Sequence, residues 1–158
     1  MIDGGLRGIF RQHLKLVDWT SIETGITERG VPDGNGCYEG VEFWIEYKKA
    51  KGNLVQLRPQ QVAWLMKRAR HGGNVFVAVR RQEPPSRKQK RGELDELWLF
   101  RGDYAAHLKT HGLRLLEPGA LLGVWTDGPK RWNWPQILSI LANKKAPRSL
   151  DRGALVRH

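Results

Sequence analysis

Cysteine is almost missing from this chain. Cys37 is the only one in 158 residues, which excludes an intrachain disulfide and every Cys/His zinc spacing. Long apolar runs are missing too. No stretch approaches the roughly 18 residues of a membrane span, and Met1-Ile2-Asp3-Gly4-Gly5 has no apolar signal-like region. The expectation is a soluble, cytoplasmic protein without a membrane partner. The five histidines are scattered and no Ser/His/Asp set recurs. Gly112, Gly119, Gly123 and Gly128 do not form a phosphate loop, so no organic cofactor is expected. Acids are scarce as well: 16 Asp and Glu stand against 27 Lys and Arg, for a net charge of +11 and a pI near 10.2. A surface this positive makes polyanions, nucleic acid first, the natural partners.

What is present has the layout of one α/β unit. Leu6, Ile9, Phe10 and His13 fall at helical spacing, predicting an amphipathic helix from Gly5 to Lys15. A short strand is expected over Trp19 to Glu23, and Gly34-Asn35-Gly36 and Glu39-Gly40 have the composition of turns. Val41 to Lys48 has strand alternation, with Glu42, Trp44, Glu46 and Lys48 on one face and Phe43, Ile45 and Tyr47 on the other. Pro59 opens and Gly72-Gly73 closes a helix. Val75 to Val79 is an apolar run of buried-strand type, expected to lie parallel to the Glu46 strand because a helix intervenes. The basic, Pro-punctuated stretch Arg80 to Arg91 is expected to be a loop. After it, Glu96 to Phe100, Asp103 to His111 and Gly123 to Thr126 predict strand, helix and strand. A last helix around Ile137 follows an Asn133 cap. The expected divisions are a core over 1–81, a flexible basic loop over 82–92, a C-terminal αβ extension over 93–142 and a mobile basic tail over 143–158.

A polar strand face ending in Glu46 and Lys48 is unusual beside so much Trp, Phe and Ile unless it borders a cleft. Two carboxylates about 4 Å apart repel by roughly 4 kcal/mol at an effective dielectric near 20. A cluster of Asp33, Glu46 and Glu23 would therefore favour a cation between them, and oxygen ligands suit Mg²⁺ or Mn²⁺. Lys48, on the Glu46 face, would add positive charge where negative charge develops on a phosphate or its attacking water.

Gly30-Val31-Pro32-Asp33, then Glu46-Tyr47-Lys48, then Leu57-Arg58-Pro59-Gln60-Gln61 opening a helix, then Gly72-Gly73 and Val75 to Arg80 resemble the PD-(D/E)XK nuclease superfamily. Order and spacing are most similar to its virus-type replication-repair nuclease (VRR-NUC) branch, often found in phages. The resemblance covers Glu23 to Arg81. It implies a restriction-endonuclease-like α/β core, a mixed central sheet flanked by helices. It also implies a metal held by Asp33, Glu46 and the Tyr47 carbonyl, Lys48 as the catalytic lysine, and Gln61 placing the water or the metal shell. Relatives include homodimeric resolvases of four-way (Holliday) junctions, acting in DNA recombination and repair in a bacterial cell. The implied function is thus a metal-dependent endonuclease on branched DNA. A less selective nuclease on flaps, single strands or linear duplex is the neighbouring alternative, and a basic DNA-binding protein without turnover is an alternative of another class.

This chain departs from the pattern in lacking an acid on its first helix. Glu23 is the expected substitute, with Glu28 and Asp3 as the other candidates. Arg68, Arg70, Arg80, Arg81, Arg87, Lys88, Lys90 and Arg91 are expected to track the DNA backbone, which would make binding fall steeply with salt.

Overall fold

Leu6 and Phe10, one helical turn apart, are fully buried on the inner side of α1 (Leu6–His13). The chain continues through β1 (Asp18–Ser21), β2 (Gly34–Tyr38), β3 (Val41–Lys49), α2 (Pro59–Arg70), β4 (Val75–Glu83) and β5 (Leu94–Arg101). A 3-10 turn at Gly102–Tyr104, then α3 (Ala105–His111), a second 3-10 turn at Gly112–Arg114, β6 (Leu121–Trp125) and α4 (Trp134–Leu141) follow. The computed structural model describes residues 2–22, 30–114 and 117–143. Glu23, Glu28 and the expected tail over 144–158 lie outside the described residues.

The strands form one six-stranded mixed sheet in sequence order, β1-β2-β3-β4-β5-β6. Every pairing is antiparallel except β3 with β4, which run parallel across the α2 connection as expected. The period-two alternation of β3 sorts its side chains between two cores. Phe43, Ile45 and Tyr47 pack with Leu6, Phe10, Trp134, Ile137 and Leu141 on the α1 and α4 side. Trp44 packs on the other face with Trp64 and Leu65 of α2 and Leu108 of α3. The architecture is an α/β/α sandwich, and each fully buried Leu, Ile or Phe contributes on the order of 1.5–3 kcal/mol to it. Trp125, Trp132 and Trp134 are core residues, and the Asn133 side chain caps α4 by accepting from the Gln136 N–H at 3.1 Å. Among the described residues no helix is long and apolar enough to cross a membrane.

Two expectations are corrected. Gly34-Asn35-Gly36 is strand, not turn, pairing with Ile45, Trp44 and Phe43. Its glycines serve close packing: a Cβ would stand 2.8 Å from the Tyr47 hydroxyl at Gly34 and 2.7 Å from the Phe43 ring at Gly36. The reversal comes instead at Glu39-Gly40, whose φ values of 48° and 80° suit a two-residue hairpin. The second correction concerns Arg80 to Arg91. β4 runs on through Glu83, so residue 81 lies within a strand rather than at the end of a core, and β5 and β6 extend the same sheet. Charge there is absorbed by pairing: Arg80 makes two bonds to Asp95, of 2.9 and 2.7 Å, and Arg81 lies 3.1 Å from Glu83 and 3.7 Å from Glu96. The hairpin tip is closed by the Ser86–Arg91 bridge, with Arg91 3.1 Å from Glu83.

Candidate active site

The polar half of the β3 face meets the first turn of α2. Glu46 is 2% exposed and Lys48 6%, the only charged side chains buried among the described residues. Lys48 Nζ lies 3.6 Å from Glu46 Oε2, and Gln61 Nε2 donates to the same oxygen at 3.1 Å. The other carboxylate oxygen of Glu46, Oε1, is buried without a hydrogen-bond partner. A buried, unpaired carboxylate oxygen is costly, so this atom is built for a proton or a cation.

Asp33 precedes β2 and reaches β3 from the side. Its Oδ2 accepts the Tyr47 N–H at 3.4 Å, at the position just beyond the last β2–β3 pair, Gly34 with Ile45. N–H and C=O of one strand residue face the same neighbour, so the Tyr47 carbonyl also faces the side that β2 has vacated. Burial raises the Asp33 carboxyl above its ordinary value against the opposing Tyr47 N–H bond. Burial and then the Asp33 charge push Glu46 up to about 8, with Lys48 opposing. Asp33 thus raises Glu46 while Glu46 holds Asp33 down, and neighbouring acids pushed apart in this way are a common mark of a functional site.

Asp33, Glu46, Lys48 and Gln61 are thus brought together, with the Tyr47 backbone beside them. Glu23, the expected third acid, and Glu28 lie outside the described residues. Asp3 is the described acid whose charge reaches the site: it raises both Asp33 and Tyr47. Its Oδ1 is engaged by the Gly5 N–H at 2.9 Å. Among the described residues no group of three or more His, Cys, Asp or Glu side chains could hold a metal. The two-carboxylate set still fits Mg²⁺, which keeps several waters and is commonly held by one or two carboxylates. The buried, unpartnered Glu46 Oε1 is the atom that makes it fit.

Past Lys48 the site opens into a cleft of about 680 Å³ lined by Lys48, Lys49, Lys51, Arg58, Leu57 and Ile2. Lys49, Lys51 and Arg58 were not singled out from sequence, although Lys48-Lys49-Ala50-Lys51 is a visible basic run. Of the expected backbone-tracking cations, Arg80, Arg81 and Arg91 are engaged with internal acids. Arg87, Lys88 and Lys90 are exposed at the hairpin tip, and Arg68 and Arg70 are on α2, Arg68 exposed and Arg70 exposed. No protein-family model matches this chain, and no curated protein matches it.

Proposed function

We propose that this chain is a Mg²⁺- or Mn²⁺-dependent DNA endonuclease of the PD-(D/E)XK superfamily, VRR-NUC branch, acting on branched DNA in the manner of a four-way-junction resolvase. The observation that carries this reading is the buried Glu46, one oxygen unpartnered, set between Asp33 and Lys48. Structural ion pairs on a protein surface do not require such burial, and the net charge of +11 supplies attraction for a polyanionic substrate.

Asp33, Glu46 and the Tyr47 carbonyl would hold the cation, which when bound supplies Lewis-acid neutralisation at the phosphoryl group. Lys48, at the mouth of the basic cleft, donates to the attacked phosphate or to the incoming water and balances charge as it develops. Gln61 fixes the rotation of the Glu46 carboxylate through its 3.1 Å bond, keeping Oε1 turned to the site. Lys49, Lys51 and Arg58 of the cleft would seat the flanking phosphates. Two symmetric nicks in a junction need two such sites, so the proposal includes a homodimer. The cellular setting is the cytoplasm of a bacterium, with a phage as the source.

Cleavage of end-labelled four-way junction, flap, linear duplex and single strand, in Mg²⁺, Mn²⁺ or EDTA and with Glu46→Ala in parallel, tests this reading. Paired, symmetric, metal-dependent nicks on the junction, absent from the variant, are expected. Cutting of all four substrates would replace the resolvase with a general nuclease, and DNA binding without cutting in any metal would overturn the enzymatic reading.

A further inference from the structure

Arg68 differs from the arginines of the sheet in how it is held. Arg80, Arg81, Arg91 and Arg101 each lie against a carboxylate. Arg68 has no carboxylate partner among the described residues. Its guanidinium carbon instead sits 4.5 Å from the ring centroid of Trp64 and 5.5 Å from that of Trp44, whose own centroids are 5.1 Å apart. Stacking on indole faces fixes the plane of a guanidinium through cation–π attraction and leaves its edge N–H donors free. The stem is fixed as well. A Cβ at Gly73 would stand 2.6 Å from Arg68 Cγ and 2.8 Å from Cδ, and the Gly73 N–H donates to the Arg68 carbonyl at 3.0 Å.

A planar fork of donors, exposed, immobilised and without an anion of its own, matches the geometry of a phosphate. Its place relative to Glu46 sets which phosphate. Gln61, Trp64 and Arg68 follow one another on a single face of α2, and the seven residues from Gln61 to Arg68 span about 10 Å at 1.5 Å per residue. On the strand beneath, Trp44 shares the face of Glu46. A DNA strand, charged at every nucleotide, therefore meets the two positions at different phosphates.

We propose that Arg68, stacked on Trp64 and Trp44 and braced by Gly73, is a preset phosphate clamp that grips the DNA strand at a phosphate beyond the one presented to Glu46 and Lys48. The clamp itself stands on the Arg68 geometry; only its register along the strand rests on the nuclease reading.

The test is equilibrium binding of a fluorescein-labelled four-way junction to the full chain in EDTA, over a salt series, for wild type, Arg68→Ala, Arg68→Lys and Gly73→Ala. Thermal melts confirm that each variant folds. Arg68→Ala is expected to flatten the slope of log K against log salt by about 0.9, the value for one phosphate no longer neutralised. Arg68→Lys is expected to keep the slope and still bind several-fold more weakly, because an ammonium has no fork to stack and present. Gly73→Ala, which displaces the stem without removing charge, should weaken binding likewise. A folded Arg68→Ala with an unchanged slope overturns the clamp. The register is read separately in Mg²⁺, by trimming the duplex arm one nucleotide at a time: wild-type cleavage should drop at the length where the arm no longer reaches the clamp, and Arg68→Ala cleavage should not respond. A flattened slope with no cleavage in any variant would leave the clamp standing and remove the nuclease reading.

Discussion

Gln61 Nε2 donates to Glu46 Oε2 at 3.1 Å while Gln61 Oε1 accepts the Arg58 N–H at 2.9 Å. One amide therefore closes the first turn of α2 and sets the orientation of the buried acid. Gln61→Ala removes both bonds. It is expected to destabilise the protein by about 1 kcal/mol, the usual worth of a helix cap, and to lower cleavage by about tenfold through a misplaced Glu46. Chemical denaturation and single-turnover rates measure the two effects independently.

Without metal, the Glu46 carboxyl is raised from 4.5 to about 8, with burial as the first cause. A folded-state value above the unfolded one means that the stability it contributes is full below about pH 4.5 and is lost as pH rises through about 8. Asp33, also raised, acts with the same sign. Melting in EDTA from about pH 5 to about pH 9 should therefore show wild-type Tm falling with pH, and Glu46→Gln should show a shallower fall. Mg²⁺ at the alkaline end should restore wild-type Tm and leave Glu46→Gln almost unmoved. Parallel curves for the two proteins would contradict the assignment.

Lys48 lies 3.6 Å from Glu46 and lines the basic cleft. Lys48→Ala should reduce cleavage by about 10²–10³-fold, the effect of removing one charge-stabilising donor. DNA affinity in EDTA should change little, because the surrounding cleft keeps Lys49, Lys51 and Arg58. Gel-shift titration beside the cleavage assay separates the two readouts, and equal activity in the variant would remove Lys48 from the mechanism.

Arg91 ties the hairpin tip to Glu83 and to the Pro84 carbonyl, at 3.1 and 2.9 Å, so its removal would disturb the tip itself. Arg87, Lys88 and Lys90 are exposed there. Replacing those residues together by alanine is expected to flatten the salt dependence of DNA binding by about 0.9 for each phosphate they neutralise, with Tm unchanged. An unchanged slope would make the tip a spacer.

A methyl group on Gly34 would meet the Tyr47 hydroxyl at 2.8 Å. Gly34→Ala should cost about 1–3 kcal/mol, as overpacking does, and lower cleavage further by shifting the adjacent Asp33. Urea unfolding and the cleavage rate at matched folded fraction check both parts.

The Glu46–Lys48 face of β3 was legible because strand alternation is a local property, and Pro59 with Gly72-Gly73 bounded α2 for the same reason. Gly34 and Gly36 misled because their composition is that of a turn, whereas the need for them lies in the rings of Tyr47 and Phe43 across the sheet. Arg80 and Arg81 had the look of a solvated loop until Asp95 and Glu96, more than a dozen residues on, met them across the ladder. The approach of Asp3 to Asp33 and the cage of Trp44 and Trp64 around Arg68 are likewise products of tertiary packing, without a periodic signature.

The order of strands in space repeats their order in the chain, and this bears on how the molecule is made. Each hydrogen-bonded pairing joins consecutive strands, and even the parallel β3–β4 pair needs only the α2 connection to be closed, a step whose entropy cost grows only slowly with loop length. Asp33, Glu46, Lys48 and Gln61 fall within β2, β3, the start of α2 and their connections, so during synthesis every residue of the proposed catalytic group emerges before the strands that complete the far side of the sheet.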